Sequence, residues 1–159
     1  MTNIAINGFG RIGRIFFRQV YGHENFKVVA VNDLVDREGL EYLLKYDSVY
    51  GQFDKGMEGV QFFQEKDPAK LPWKDLGIDI VIESTGFFET AEKAKAHLDA
   101  GAKHVVISAP PKDDETITAT PNVGLSALAG HGISSNASCT TNATNPVMTV
   151  MMNSIGIKK

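Results

Sequence analysis

The sequence is short of several things, and each shortage excludes a class of protein. One cysteine, Cys139, stands among 159 residues. No disulfide can therefore form within the chain, and a reducing cytoplasm is the expected setting. No apolar run is long enough to cross a bilayer, and the first residues enter a strand-like pattern without the basic and apolar regions of a signal peptide, so a membrane partner is not expected. Basic residues are not in excess: 16 Lys and Arg face 19 Asp and Glu, a formal net charge of -3. Without a basic stripe, nucleic acid is not expected as a partner. A small anion remains admissible, because backbone amides hold phosphate without net positive charge. No Cys/His cluster has zinc spacing, so no metal is expected. There is no internal repeat, low-complexity segment or clear linker. Hydrophobic residues at 43% against 22% charged allow one packed domain rather than disorder.

What is present reads as strands alternating with helices. Ile4 to Asn7 is a short apolar run ending at a glycine, and Ile12, Ile15, Phe16 and Val20 follow at helical spacing. Lys27 to Asn32 is a second buried strand. Asp36 can cap a short helix through Leu40, Leu43 and Leu44. A looser stretch from Asp47 to Lys74 holds a short strand at Val60 to Phe63. Ile78 to Glu83 is a strand. Thr90 to Ala100 is a helix capped by Thr90 and closed by Gly101. Val105 to Ser108 is a strand, stopped by Ala109-Pro110-Pro111. Cys139 to Ile155 carries Val147, Met148, Met151 and Ile155 at helical spacing, with Pro146 inside it, so a late start or a kink is expected there. Strands apolar on both faces and separated by helices predict a Rossmann-type, doubly wound α/β fold: a mostly parallel sheet with helices on both faces.

Gly8-Phe9-Gly10-Arg11-Ile12-Gly13 is a G-x-G-x-x-G that follows one predicted strand and opens a predicted helix. Gly8 permits the tight turn, Gly10 lets backbone approach a pyrophosphate, and Gly13 lets helix and sheet pack closely. Asp33, 20 residues after Gly13, stands where a carboxylate accepts a ribose 2′-hydroxyl. A 2′-phosphate there would meet a like charge, so NAD is expected over NADP. The competing reading is an ordinary strand–helix turn followed by a solvated loop acid.

Cys139 sits in Ser135-Asn136-Ala137-Ser138-Cys139-Thr140-Thr141-Asn142, ahead of the last helical pattern. A helix N-terminus favours thiolate, the form that attacks a carbonyl, and its amides can hold an oxyanion. The alternative is a small buried hydrophobe, and spacing alone leaves the two readings even. Of the four histidines, His23 follows the first helix, His97 is mid-helix, His104 opens a strand at its N-terminal end, and His131 lies in a loop flanked by Gly130 and Gly132. None is an obvious base for the thiol, and His131 reads as a solvated loop residue.

Taken together, Asn7 to Arg14, Val31-Asn32-Asp33, Lys45-Tyr46-Asp47-Ser48, Glu83-Ser84-Thr85-Gly86, Ile107-Ser108-Ala109-Pro110 and Ser138-Cys139-Thr140-Thr141-Asn142 resemble, in this order, the phosphorylating glyceraldehyde-3-phosphate dehydrogenases. The resemblance covers almost the whole chain. It implies that Cys139 is the catalytic nucleophile. It implies that Gly8, Gly10 and Gly13 with the backbone of Arg11 and Ile12 meet the pyrophosphate, and that Asp33 holds the adenosine ribose. Lys66 would lie near the adenine, where the family usually has arginine; Thr85, Gly86 and Phe88 would lie along the cofactor, and Ser108 near the nicotinamide. Ser138 and Thr140 would flank the substrate or inorganic phosphate. The implied activity, part of glycolysis and gluconeogenesis, oxidises glyceraldehyde 3-phosphate with phosphate and NAD to 1,3-bisphosphoglycerate through a Cys139 thioester.

The sequence departs from the family at Tyr50 and Gln52 (usually histidine and arginine), at Ala143 (commonly a second cysteine) and at Asn145 (usually alanine). From Ile117 to Ser134 it is only loosely family-like, with Pro121-Asn122-Val123-Gly124 in place of a clean glycine-valine-asparagine. The family normally continues for about as much again beyond Lys159, with the thiol-activating histidine, the substrate-phosphate arginine and most of the interface of a homotetramer. Residues 1–138 are therefore expected to be the NAD-binding domain and 139–159 the start of a catalytic domain. A stand-alone NAD-binding module is the second reading, and an erythrose-4-phosphate dehydrogenase the third; an aspartate-semialdehyde enzyme is disfavoured by the glycine loop and Asp33.

Overall fold

The computed structural model describes residues 1–121 and 123–158. Asn122, in the irregular glycine-valine-asparagine stretch, and Lys159 lie outside them. In chain order, β1 (Thr2–Asn7) leads into α1 (Arg11–Val20), then β2 (Phe26–Asn32) and α2 (Arg37–Lys45). A hairpin of β3 (Tyr46–Asp47) and β4 (Gly51–Gln52) follows, then β5 (Gln61–Phe63) and β6 (Ile80–Glu83). The chain continues through α3 (Ala91–Asp99), β7 (His104–Ile107), β8 (Ile117–Thr118), β9 (Ile133–Ser135) and α4 (Cys139–Ser154).

Seven strands form one sheet in the order β5-β2-β1-β6-β7-β9-β8, every neighbouring pair parallel. The chain starts in the middle, winds outward to β5, and returns past β1 to wind the other way. The reversal between β1 and β6 is the switch point where such sheets open a crevice at their strand C-termini.

The two-faced burial follows from the pleat, because successive side chains point to opposite faces. Ile4, Ile6, Val31 and Ile82 join Phe9 and Phe17 and, from α2, Leu40 and Leu44 in one core. Ala5, Ala30, Val81, Val105 and Ile107 join Trp73 and, from α3, Ala94 in the other. The doubly wound, three-layer expectation is what the residues build.

The capping chemistry is as expected. Asp36 accepts from Gly39 N at 2.8 Å, and Thr90 from Lys93 N at 3.3 Å. One expectation, the late start of the last helix, needs correction. Helix α4 begins at Cys139 and runs through Pro146 to Ser154. The Ser138 cap and closing bonds from Ile155 N and Gly156 N to the Met151 carbonyl outweigh the one donor that Pro146 lacks. The stretch from Ile117 to Ser134, only loosely family-like and assigned no element from sequence, supplies β8 and the start of β9. No helix among the described residues is long and apolar enough to cross a membrane.

Candidate functional site

The glycine loop between β1 and α1 is shaped by contacts only glycine allows. Gly8 has φ +91°, and a Cβ on it would lie 2.6 Å from Thr85 N and 2.7 Å from the Ser84 carbonyl carbon. A Cβ on Gly13 would lie 2.2 Å from the Gly8 carbonyl oxygen. Gly10 faces open space, with nothing within 4 Å of its Cβ position. The loop is held from both sides: Gly8 N donates to the Asn32 carbonyl at 2.8 Å, and Ser84 Oγ donates to the Gly8 carbonyl at 2.6 Å.

Beyond Gly10, α1 starts with no side-chain cap and no acidic residue in its first turn. Its first amides are therefore free for an outside acceptor, and the helix dipole adds positive potential there. An uncapped helix start behind a glycine that leaves room for a ligand fits a dinucleotide pyrophosphate. Arg14 Nη1 donates to the Phe9 carbonyl at 2.9 Å and braces the loop. Burial pushes this guanidinium below the usual arginine range, with Asp47 opposing.

A cleft of about 670 Å³ opens at this point. Its floor includes Asn7, Gly8, Gly10 and Asn32; one wall carries Asp33, Leu34, Glu65 and Lys66, and the other Ser84, Thr85, Phe87, Phe88 and Lys93. Asp33 is half-buried. Its Oδ2 accepts from Phe9 N at 2.6 Å and its Oδ1 from Val35 N at 2.9 Å. Each oxygen keeps a second lone pair for a hydroxyl donor. It is thus a structured part of the loop, not a solvated loop acid. Lys66 is exposed at the cleft edge. Gly86, at φ +78°, turns the chain between Thr85 and Phe87.

Ser108 and Cys139 lie further along the same edge. Ser108 N donates to the Glu83 carbonyl at 2.9 Å, just past the end of β7. Cys139 follows the end of β9, two strands from β6 and so roughly 10 Å along the sheet. Its thiol is free and exposed at the first residue of α4, which removes the buried-hydrophobe reading. The turn before it is strained, with Ala137 at φ 65°. Asn142 spans that turn, its amide donating to the Asn136 carbonyl at 2.6 Å and the Ser138 carbonyl at 2.9 Å. Ser138 Oγ accepts from Thr141 N at 3.0 Å and contacts the Thr140 hydroxyl at 2.8 Å.

None of the four histidines is placed to serve the thiol. His97 is fully buried and bonded to Trp73 and Glu83. His104 starts β7, at the opposite end of the strands from Cys139. His23 accepts from Asn25 N and lies against Phe26. His131 is exposed beside Glu92 and Lys95 of α3, the solvated position expected of it. Tyr50 and Gln52 belong to the β3–β4 hairpin, which Arg18 of α1 holds by donating to the Tyr50 and Gly51 carbonyls. Hydrogen bonds from Tyr50 N and Val49 N hold the Asp47 carboxyl there below its usual range.

Sequence reasoning missed Asn7, Asn32, Glu65, Lys93 and Phe87 as cleft residues, and Trp73, Glu83 and His97 behind them. Asn7, Asn32 and Glu83 carried a weak signal, as polar residues at the last positions of otherwise apolar strands; Glu65, Phe87, Lys93, Trp73 and His97 carried none.

A family model described as the NAD-binding domain of glyceraldehyde 3-phosphate dehydrogenase matches residues 2–91. Glyceraldehyde-3-phosphate dehydrogenase B of Aspergillus oryzae is 48% identical, over 98% of this chain and 50% of its own length. The glyceraldehyde-3-phosphate dehydrogenase of Thermotoga maritima is 47% identical, over 99% of this chain and 51% of its own. The cytosolic enzyme of Leishmania mexicana is 42% identical, over 99% of this chain and 50% of its own. The chain spans about half the length of the curated relatives it matches.

Proposed function

Because the chain belongs to the glyceraldehyde-3-phosphate dehydrogenase family and carries its NAD-binding domain, we propose that it is the cofactor and nucleophile portion of a phosphorylating aldehyde dehydrogenase. Residues 1–138 are the cofactor domain in this reading, and 139–159 begin the catalytic part. The observation that carries it is the cleft at the switch point, where the uncapped start of α1, the glycine loop and Asp33 converge, with an exposed thiol on the same strand edge.

Gly8, Gly10, Gly13 and the amides of Arg11 and Ile12 take the pyrophosphate, and Asp33 takes the adenosine ribose. Lys66 lies beside the adenine. Thr85, Gly86 and Phe88 run along the cofactor, and Ser108 lies toward the nicotinamide. Bound NAD supplies the two-electron acceptor that makes a thioester accessible from an aldehyde. Cys139 thiolate bonds to the aldehyde carbon, and the α4 amides stabilise the oxyanion that forms. After oxidation, a phosphate oxygen attacks the thioester carbon, the C–S bond breaks and the thiolate is regenerated. Ser138 and Thr140 steady the phosphate. Glyceraldehyde 3-phosphate is the substrate this reading favours, 1,3-bisphosphoglycerate its product, the cytoplasm its setting and a homotetramer the assembly of a full-length protein. An erythrose-4-phosphate dehydrogenase is the alternative reading, and a substrate panel on a full-length protein separates the two.

Calorimetric titration with NAD and NADP is expected to give binding of NAD and at least about tenfold weaker binding of NADP, since a 2′-phosphate would face Asp33 with its like charge. Equal affinities, or none for NAD, overturn the cofactor assignment. Turnover by these 159 residues is expected to be negligible, because general-base help is worth about 10²–10⁴-fold and no histidine here can give it to Cys139. Phosphate-dependent NAD reduction by the purified chain overturns that expectation.

A further inference from the structure

Four strand ends under the cleft are joined by one hydrogen-bonded chain. At the β5 end, Glu65 N donates to Asn32 Oδ1 at 2.8 Å, and Asn32 Nδ2 returns a bond to the Glu65 carbonyl at 2.9 Å. Asn32 Nδ2, at the end of β2, also donates to Asn7 Oδ1 at 2.7 Å. Asn7, at the end of β1, donates through Nδ2 to Glu83 Oε2 at 2.6 Å, at the end of β6. Glu83 Oε1 accepts from Thr85 N at 2.7 Å and Thr85 Oγ1 at 2.5 Å, and Thr85 Oγ1 accepts from Phe87 N at 3.1 Å. The chain thus runs from the Lys66 wall of the cleft to the Thr85–Phe87 wall, with Glu83 as its hub.

The hub is fixed from behind. An indole N–H only donates, so the 3.0 Å contact between Trp73 Nε1 and His97 Nδ1 makes Nδ1 the acceptor. The ring proton then sits on Nε2 and points at Glu83 Oε2, 3.1 Å away. Asn7 Nδ2 and His97 Nε2, 3.3 Å apart, are two donors converging on that oxygen. Glu83, His97 and Trp73 are all fully buried. The carboxylate therefore meets four donors, two on each oxygen, and every one has a defined direction.

We propose that Glu83, backed by His97 and Trp73, is a positioning residue that sets the two walls of the NAD cleft and presents Thr85 to the cofactor. It touches no ligand itself. This inference rests on the cofactor reading above. A carboxylate is required because an amide at position 83 would turn a donor against one pair of existing donors in either orientation.

The test measures NAD affinity by calorimetry and melting temperature in the parent chain, Glu83→Gln, Thr85→Val and Thr85→Ser. Leaving a buried partner unpaired is expected to weaken NAD binding about tenfold in Glu83→Gln and in Thr85→Val. Thr85→Ser keeps both bonds to Glu83 and is expected to recover most of the affinity lost in Thr85→Val, a rescue by the conservative variant that loss of side-chain volume alone does not predict. Without NAD, Glu83→Gln is expected to shift the amide resonances of Thr85 and Phe87 and the ring nitrogens of His97. A parent chain that binds no NAD overturns the cofactor reading and this inference with it. Binding by the parent together with unchanged affinity in folded Thr85→Val overturns this inference alone.

Discussion

Gly13→Ala is expected to lower NAD affinity by about a hundredfold or more and to destabilise the fold at the same time, whereas Gly10→Ala is expected to lose affinity with little loss of stability. The two glycines stand three residues apart in one loop and fail for different reasons. The Gly13 Cβ would sit 2.2 Å from the Gly8 carbonyl oxygen, 3.0 Å from Ile6 Cγ2 and 3.1 Å from Ser84 Oγ. Relief has to come from Gly8 or from α1. Gly8 is pinned at positive φ, its N–H held by Asn32 and its carbonyl by Ser84. The helix must therefore lift from the sheet, pulling Phe17 and the first-turn amides with it. Overpacking of this kind costs about 1–3 kcal/mol. A 1 Å displacement of groups that must meet a ligand is worth about a hundredfold. Gly10 instead has φ -68°, which alanine adopts, and open space at its Cβ. A methyl there fills only open space, which the proposed function gives to the pyrophosphate. Thermal unfolding and NAD calorimetry on both variants check this. A Gly13→Ala chain with parental melting and affinity would refute the account of the loop.

That difference between two glycines marks how far the sequence could be read. The motif spacing was enough to pick out Gly8, Gly10, Gly13 and Asp33 as one loop, and the structure brings them together, because a tight turn, an open glycine and a carboxylate bonded back to the loop are local demands on neighbouring residues. Strands with apolar residues on both faces were equally legible, since burial on two sides leaves a continuous run. Strands β8 and β9 were not. They have two and three residues, β9 ending in Ser134-Ser135, and they exist because β7 offers a parallel edge to β9, and β9 in turn to β8. The exposure of Cys139 was not legible either, because it depends on where α4 lies. The network around Glu83 was the least accessible: it joins positions 7, 32, 65, 83 and 97, which no spacing rule relates. Only the strand order brings them to one edge. His97 illustrates the point, since mid-helix placement gave it no role until Trp73 and Glu83 were found on either side.

Trp73→Ala is expected to leave the domain marginally folded at 25 °C, the largest stability loss of any single truncation in the chain. Trp73 is the largest fully buried side chain, its ring edge-on to Phe63 at 6.1 Å and stacked on His97 at 6.3 Å. Truncating a buried tryptophan costs about 3–5 kcal/mol through lost contacts and the cavity left behind. Removing the indole N–H also strips His97 Nδ1 of its partner, and an unsatisfied buried polar atom costs about 1–3 kcal/mol. Against a total stability of about 5–15 kcal/mol, the sum is most of what holds the fold. Trp73→Phe separates the two contributions. Phenylalanine fills much of the space and keeps the contact with Phe63, but it cannot donate to His97. Its loss relative to the parent combines the missing hydrogen bond with a modest size change, and the further drop to alanine reports the cavity. Urea unfolding followed by far-UV circular dichroism is the measurement, because Trp73 is the sole tryptophan and its fluorescence disappears in both variants. If Trp73→Phe matches the parent in midpoint, the bond to His97 carries little of the stability and the packing alone explains Trp73. If it falls well below the parent, the buried polar chain is itself a structural support, and the positions of Glu83 and Thr85 at the cleft depend on an indole buried behind them in the core.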